Sequence, residues 1–290
     1  MAFDVQQMAL AEHYLDVGQP ERTLELLSTA DGDSFERPDY WRLRTAALYE
    51  LERYKEAVRA AGEGLARDPH WIPLLYLRAM AEGELDKLAD AERSILAALE
   101  LDPEDPYLLC GYARLCARAG QLAKAERLVD EAARVDPENP AVIQMRGFVA
   151  YLRGRNRKAQ KLGEEALAID PESSSAHSLR GAAQLQRGDV RGARRSFETA
   201  IRDDPTDRAL GEAVRGTRVA THPLLWPVLP LERLGVAGSW VAAMATIFGL
   251  RALGLGTAAG IAVVVWLVIV VYSWTAAPAA VRWLERRQQL

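Results

Sequence analysis

Residues 106–139 read PYLLCGYARLCARAGQLAKAERLVDEAARVDPEN. Two stretches of helical period, Tyr107–Ala119 and Leu122–Val135, flank a short turn at Gly120. Asp136-Pro137 closes the second stretch, since proline removes a backbone donor and pushes the residue before it out of helical geometry. Outward from this segment the same pair recurs as Asp68-Pro69, Asp102-Pro103, Asp170-Pro171 and Asp204-Pro205, every 34 residues and without insertion. Twelve residues before each proline stands an alanine: Ala57, Ala91, Ala125, Ala159 and Ala193. Five before it stands a second small residue: Gly64, Ala98, Ala132, Ala166 and Ala200. Glycine opens the later turns at Gly120, Gly154 and Gly188.

Small side chains let two antiparallel helices, and the next unit's first helix, approach closely. One such hairpin cannot bury its apolar face alone, so the units must stack. A 34-residue helix-turn-helix unit with this Ala/Gly/Pro pattern resembles the tetratricopeptide repeat family. The resemblance covers units 38–71, 72–105, 106–139, 140–173 and 174–207. It places Trp41 at the first-helix aromatic position and Gly147 and Gly181 at the small position inside that helix. Residues 4–37, with AEHYLDVGQPERTLELLSTA at 11–30, fit the same register through Ala11, Tyr14, Gly18 and Ala30. They depart from it at Thr23 and Phe35, where alanine and proline are expected, which marks a degenerate N-terminal capping unit. Residues 208–220 read as a capping helix. The expected fold is all-α: a right-handed α-solenoid of about six such hairpins, followed by a two-helix transmembrane segment.

Charge divides the chain of 290 residues into three regimes. Residues 1–105 carry 11 basic and 23 acidic side chains, residues 106–222 carry 20 and 15, and residues 223–290 carry 5 and 2. The overall charge of −4 gives no support to a nucleic-acid binder. Two cysteines, Cys110 and Cys116, exclude a disulfide framework and a cysteine-rich zinc site. The N-terminal sequence MAFDVQQMALAEHYLDVG has acids early and no basic leader or apolar core, so it does not read as a secretory signal. Only five of the 36 basic residues are lysine, a bias expected of a GC-rich bacterial genome.

The last regime is apolar. Leu234–Leu250 holds no charge, Arg251 interrupts, and Ala252–Val281 is again uncharged, with IAVVVWLVIVVYSW at 261–274. A spanning helix needs roughly 20 apolar residues, which the second stretch supplies amply and the first barely. The expectation is a hairpin with spans at about 234–252 and 257–276 behind a linker at 221–233; one span plus one buried core helix is the competing reading. Arg215, Arg218 and Arg233 before the hairpin and Arg282, Arg286 and Arg287 after it outnumber Arg251 in the turn. By the positive-inside rule both termini face the cytoplasm, at a bacterial inner membrane. Trp226, Trp240, Trp274 and Trp283 lie near the expected boundaries, and Pro223, Pro227 and Pro230 make the linker irregular. Gly256 and Gly260 match a helix-packing spacing, but two glycines at the start of a helix more often belong to the turn.

No catalytic constellation is legible. His13, His70, His177 and His222 are scattered, and no zincin, Walker, nucleophile-elbow or dinucleotide-binding pattern occurs. Neither an enzyme, a metal, a cofactor nor a small-molecule substrate is expected. The family resemblance implies a concave groove lined by the first helix of each hairpin, which takes a protein or peptide ligand. Carried over by position, its lining comprises Arg42, Tyr49, Tyr76, Met80, Tyr107, Cys110, Arg114, Arg118, Gln144, Phe148 and Tyr151. Aromatics interleaved with arginine suit extended or helical peptides. Some relatives grip a C-terminal carboxylate with asparagines and lysines, but Ala46 and Met80 stand where asparagine is needed. A second candidate surface is basic: Arg153, Arg155, Arg157, Lys158, Lys161, Arg187, Arg191, Arg194 and Arg195, facing either anionic lipid or plain solvent. The function expected is a membrane-anchored cytoplasmic scaffold, with an assembly or quality-control factor whose hairpin contacts its client as the alternative.

Overall fold

A computed structural model describes residues 5–30, 32–203, 207–222, 224 and 229–288. Among these residues there are helices and turns and no strand. The chain divides into two compact units, Met1–Pro171 and Glu172–Leu290.

The first unit is five consecutive helix pairs: α1 (Val5–Asp16) with α2 (Pro20–Leu27), α3 (Pro38–Glu50) with α4 (Tyr54–Leu65), α5 (Ile72–Glu84) with α6 (Leu88–Leu101), α7 (Pro106–Arg118) with α8 (Leu122–Val135), and α9 (Pro140–Leu152) with α10 (Asn156–Ile169). The ends of these helices follow from local chemistry. Asp102, Asp136 and Asp170 close α6, α8 and α10 in extended geometry, with φ from −141° to −127° and ψ from 88° to 93°, as the following proline demands. Three residues later, Asp105 and Asn139 cap α7 and α9 by accepting from the first free backbone N–H groups. Proline then occupies the first helical position, where its missing N–H costs nothing.

The small residues do what their spacing predicts. Ala57, Ala91, Ala125 and Ala159 are fully buried, as are Ala98, Ala132 and Ala166. At Gly64 a Cβ would lie 2.4 Å from the Leu74 side chain and 2.6 Å from Trp41 Cβ, so only glycine lets α3, α4 and α5 converge there. The departures in the first unit are explained by their own contacts. Thr23 is buried in place of alanine because its hydroxyl donates to the Ala11 carbonyl at 3.0 Å. Phe35 replaces proline and packs edge-on against Tyr40 at 5.1 Å, while its carbonyl accepts from the Trp41 indole at 2.7 Å.

The second unit contains α11 (Ser174–Gln186) and α12 (Val190–Asp203), joined at Gly188, then α13 (Arg208–Ala220), α14 (Leu229–Ala252) and α15 (Gly256–Gln288). Phe197, Ala193, Ala200, Leu210 and Val214 form a small core, and the Phe197 ring lies over Gly181 where a Cβ would come within 2.9 Å. α14 starts within the stretch expected to be linker, with Pro230 in its first turn, where proline is tolerated. α15 runs well past the expected end of the second span. Pro205, Pro223, Trp226 and Pro227 lie outside the described residues.

Candidate interaction face

In the first unit each first helix touches the first helix of the next pair: α1 with α3, α3 with α5, α5 with α7 and α7 with α9. These helices carry a continuous face, and the residues expected on it differ in what they offer.

The centre is aromatic. Tyr76 of α5 lies across Gly111 of α7, where a Cβ would stand 2.6 Å from its ring. Tyr107, one turn earlier on α7, meets the Tyr76 ring at 4.6 Å between centroids and 40° between planes. The Tyr76 hydroxyl is hydrogen-bonded to Tyr107, and burial pushes its ionisation far above the ordinary phenol range. Tyr107 itself is 55% exposed. The pair is a shelf with one ring held and one ring open. Tyr49 of α3 is half-buried, edge-on to Tyr54 at 5.4 Å, and raised in pKa first by burial and then by Glu84. On α9, Phe148 is 39% exposed, while Gln144 and Tyr151 are half-buried.

Two expected lining residues offer no open surface. Met80 is 4% exposed, with its methyl close to Gly111, so it fills the α5–α7 seam. Cys110 is also buried, and burial raises its thiol to about 11 despite the nearby Arg114. It is a packing thiol, as is buried Cys116.

The three arginines separate by partner. Arg42 is paired with Glu12 of α1 and lies 3.9 Å from Asp39. Arg118 bonds Glu84 of α5 at 2.9 Å and lies 3.9 Å from Asp86. Arg114 is exposed and makes no ion pair or hydrogen bond among the described residues. Its charge acts on Tyr49, Tyr76 and Cys110, lowering the pKa of each against the larger effect of burial.

The basic candidates are less available than their number suggests. Arg153 and Arg155 share Glu126, the former at 2.9 Å. Arg194 bonds Glu198 at 3.0 Å and Thr221 at 3.2 Å. Arg157, Lys158, Lys161, Arg191 and Arg195 are exposed. These residues also fall in two different units, with Arg191, Arg194 and Arg195 in the second.

Two buried polar clips escape a search for motifs. Arg78 donates to Ser94 at 2.9 Å and Ser94 donates to Glu82 at 2.7 Å, tying α5 to α6. Arg180, Ser196 and Gln184 repeat the arrangement between α11 and α12 at 3.0 and 2.8 Å. The signal was a shared offset of three periods, invisible when adjacent units are compared. A third network joins Glu92, Tyr112 and Lys124 across α6, α7 and α8, with Lys124 bonding both partners. A cleft of about 170 Å³ between α2, α3 and α4 is lined by Leu24, Leu27, Tyr40, Arg44, Leu48, Arg53 and Glu56 among others. Its arginines are satisfied internally by the Tyr40 hydroxyl and by Glu56. No three His, Cys, Asp or Glu side chains among the described residues are grouped to hold a metal ion.

The tetratricopeptide repeat family model matches residues 79–147 and 150–215. The chain is similar to a tetratricopeptide repeat protein from Parabacteroides merdae, at 18% identity and TM-score 0.65, over 73% of this chain and 82% of that one. It is also similar to a thermophilic TPR protein of Thermus thermophilus, at 20% identity and TM-score 0.58, over 62% and 98% of the two chains. No curated protein matches. The family model thus covers a little under half of the chain, and the two solved structures share its helical-repeat fold.

Proposed function

We propose that this chain is a non-catalytic, membrane-anchored scaffold that holds a protein ligand on the face formed by α3, α5, α7 and α9. Repeat proteins of this kind generally mediate protein–protein interaction. The observation that carries the reading here is the Tyr76–Tyr107 shelf. An exposed aromatic ring backed by a held one supplies a large contact area at little cost in side-chain freedom, which is what binding hot spots are made of.

Anchoring rests on the second unit. Gly256–Ser273 is 18 residues with a mean hydropathy of 2.2 and none of it buried. At 1.5 Å per residue that length is about 27 Å, close to the hydrocarbon thickness of a bilayer. The apolar run Trp240–Ala252 of α14 is shorter. It packs along α15, where Trp240 meets Trp266 edge-on at 4.2 Å. Val241, Phe248, Val264 and Val268 remain exposed, which suits a surface that faces lipid. With α14 and α15 as two spans, the arginine distribution favours the cytoplasmic side of a bacterial inner membrane for the repeats and both ends. The assembly-factor alternative uses this same surface to touch a membrane client.

Two measurements test the reading. After alkaline carbonate washing the full chain stays in the membrane pellet; its release into the supernatant refutes anchoring. In detergent, Tyr76→Ala with Phe148→Ala abolishes recovery of crosslinked partners without changing helical circular dichroism. Unchanged recovery moves the binding surface to the hairpin.

A further inference from the structure

Arg42 and Arg118 are each neutralised by a carboxylate from the preceding first helix, Glu12 and Glu84. Arg114 has no such partner, and it stands where the neighbouring units carry Met80 and Phe148, so a charge replaces an apolar side chain at the centre of an aromatic patch. An exposed guanidinium whose charge reaches Tyr49 and Tyr76 offers a carboxylate a charge-assisted hydrogen bond beside the aromatic shelf. Resting on the interaction-face reading above, we infer that the ligand is an acidic peptide segment, which sets a large apolar side chain on Tyr107 and an internal Asp or Glu on Arg114.

The spacing follows from helix geometry. Seven residues separate Tyr107 from Arg114, so their Cα atoms lie about 10 Å apart along α7. Long helical side chains, tyrosine and arginine alike, lean toward the N-terminus, so the ring and the guanidinium stay offset by about the same 10 Å. That offset corresponds to roughly two to four residues of an extended chain, whose alternate side chains point the same way. The recognised element is therefore a large apolar residue and an acid roughly two to four residues apart. An internal acid suffices for one guanidinium, since the next arginine on α7, Arg118, is already bonded to Glu84 and supplies no second cation.

The test pans a random library of N-acetylated, C-amidated decapeptides against the immobilised full chain in detergent. Enriched peptides carry Asp or Glu roughly two to four positions from Phe, Leu, Trp or Tyr. In the best of them, changing the acid to its amide weakens binding about tenfold by fluorescence polarisation. Arg114→Gln and Arg114→Met each erase that discrimination while the amide peptide binds as before, and Arg118→Gln preserves it. Enriched peptides without an acid, or discrimination that survives both Arg114 variants, overturn the inference and leave the face standing if binding still depends on Tyr107. Binding that needs a free C-terminal carboxylate overturns it in favour of a chain end. Enrichment of nothing at all overturns both the inference and the interaction face.

Discussion

Glu82 and Gln184 occupy the same position three periods apart, and each accepts a hydrogen bond from a serine. Only Glu82 carries charge, and burial raises its pKa above the ordinary carboxylate value, with Ser94 and Arg78 opposing. A raised folded-state pKa means that the native state holds this proton more tightly than the unfolded chain. The associated stability is fully present below the unfolded value and is lost as pH rises through the folded one. Glu82→Gln, which keeps the acceptor, therefore stabilises the protein near pH 7 by up to about 1 kcal/mol, and the gain vanishes under acid. Denaturant titrations at the two pH values check the sign. Arg146 shows the opposite defect. It sits where Arg78 and Arg180 find partners, but Ala150 and Leu162 replace the acid and the serine, and its buried Nε has no hydrogen-bond partner. Arg146→Met keeps the packed stem and removes the orphan donor, so thermal unfolding shifts upward by the equivalent of about 1 kcal/mol.

The turns between paired helices show the same logic one level up. Gly18, Gly120, Gly154 and Gly188 all take positive φ between 70° and 80°, while Glu52 and Asp86 are held at 57° and 61° in the equivalent places. A residue with a Cβ is strained there, aspartate less than glutamate. Glu52→Gly relieves α3–α4 and raises stability by about 0.5–1 kcal/mol, after allowing for glycine's larger freedom in the unfolded chain. Asp86→Gly gains less, since it also removes a carboxylate from Arg118. Chemical denaturation of both variants gives the ranking. Most of this architecture was legible in the 34-residue spacing, because prolines, caps and small residues act within a few positions of themselves. What escaped depends on neighbours. Met80 and Tyr107 read alike as groove residues, but Met80 is covered in the α5–α7 seam, whereas Tyr107 stays open because it lies at the start of α7. Likewise, counting basic residues could not reveal that Glu126 and Glu198 already hold Arg153, Arg155 and Arg194.

At the scale of the whole molecule, the first unit carries an open aromatic face and the second an apolar helix pair. The apolar pattern of 261–274 made α15 legible at once, since nothing but lipid or protein tolerates that composition. The length of α14 was harder to read, because Pro230 marks a helix start as readily as an irregular linker. The most direct measurement places a photoactivatable amino acid at Tyr107 on the interaction face, or at exposed Arg127 on α8, in cells expressing the full chain. Partner crosslinks are expected from position 107 in the membrane fraction and not from position 127. Crosslinks from 127 alone, or a crosslinked product confined to the soluble fraction, would contradict this expectation.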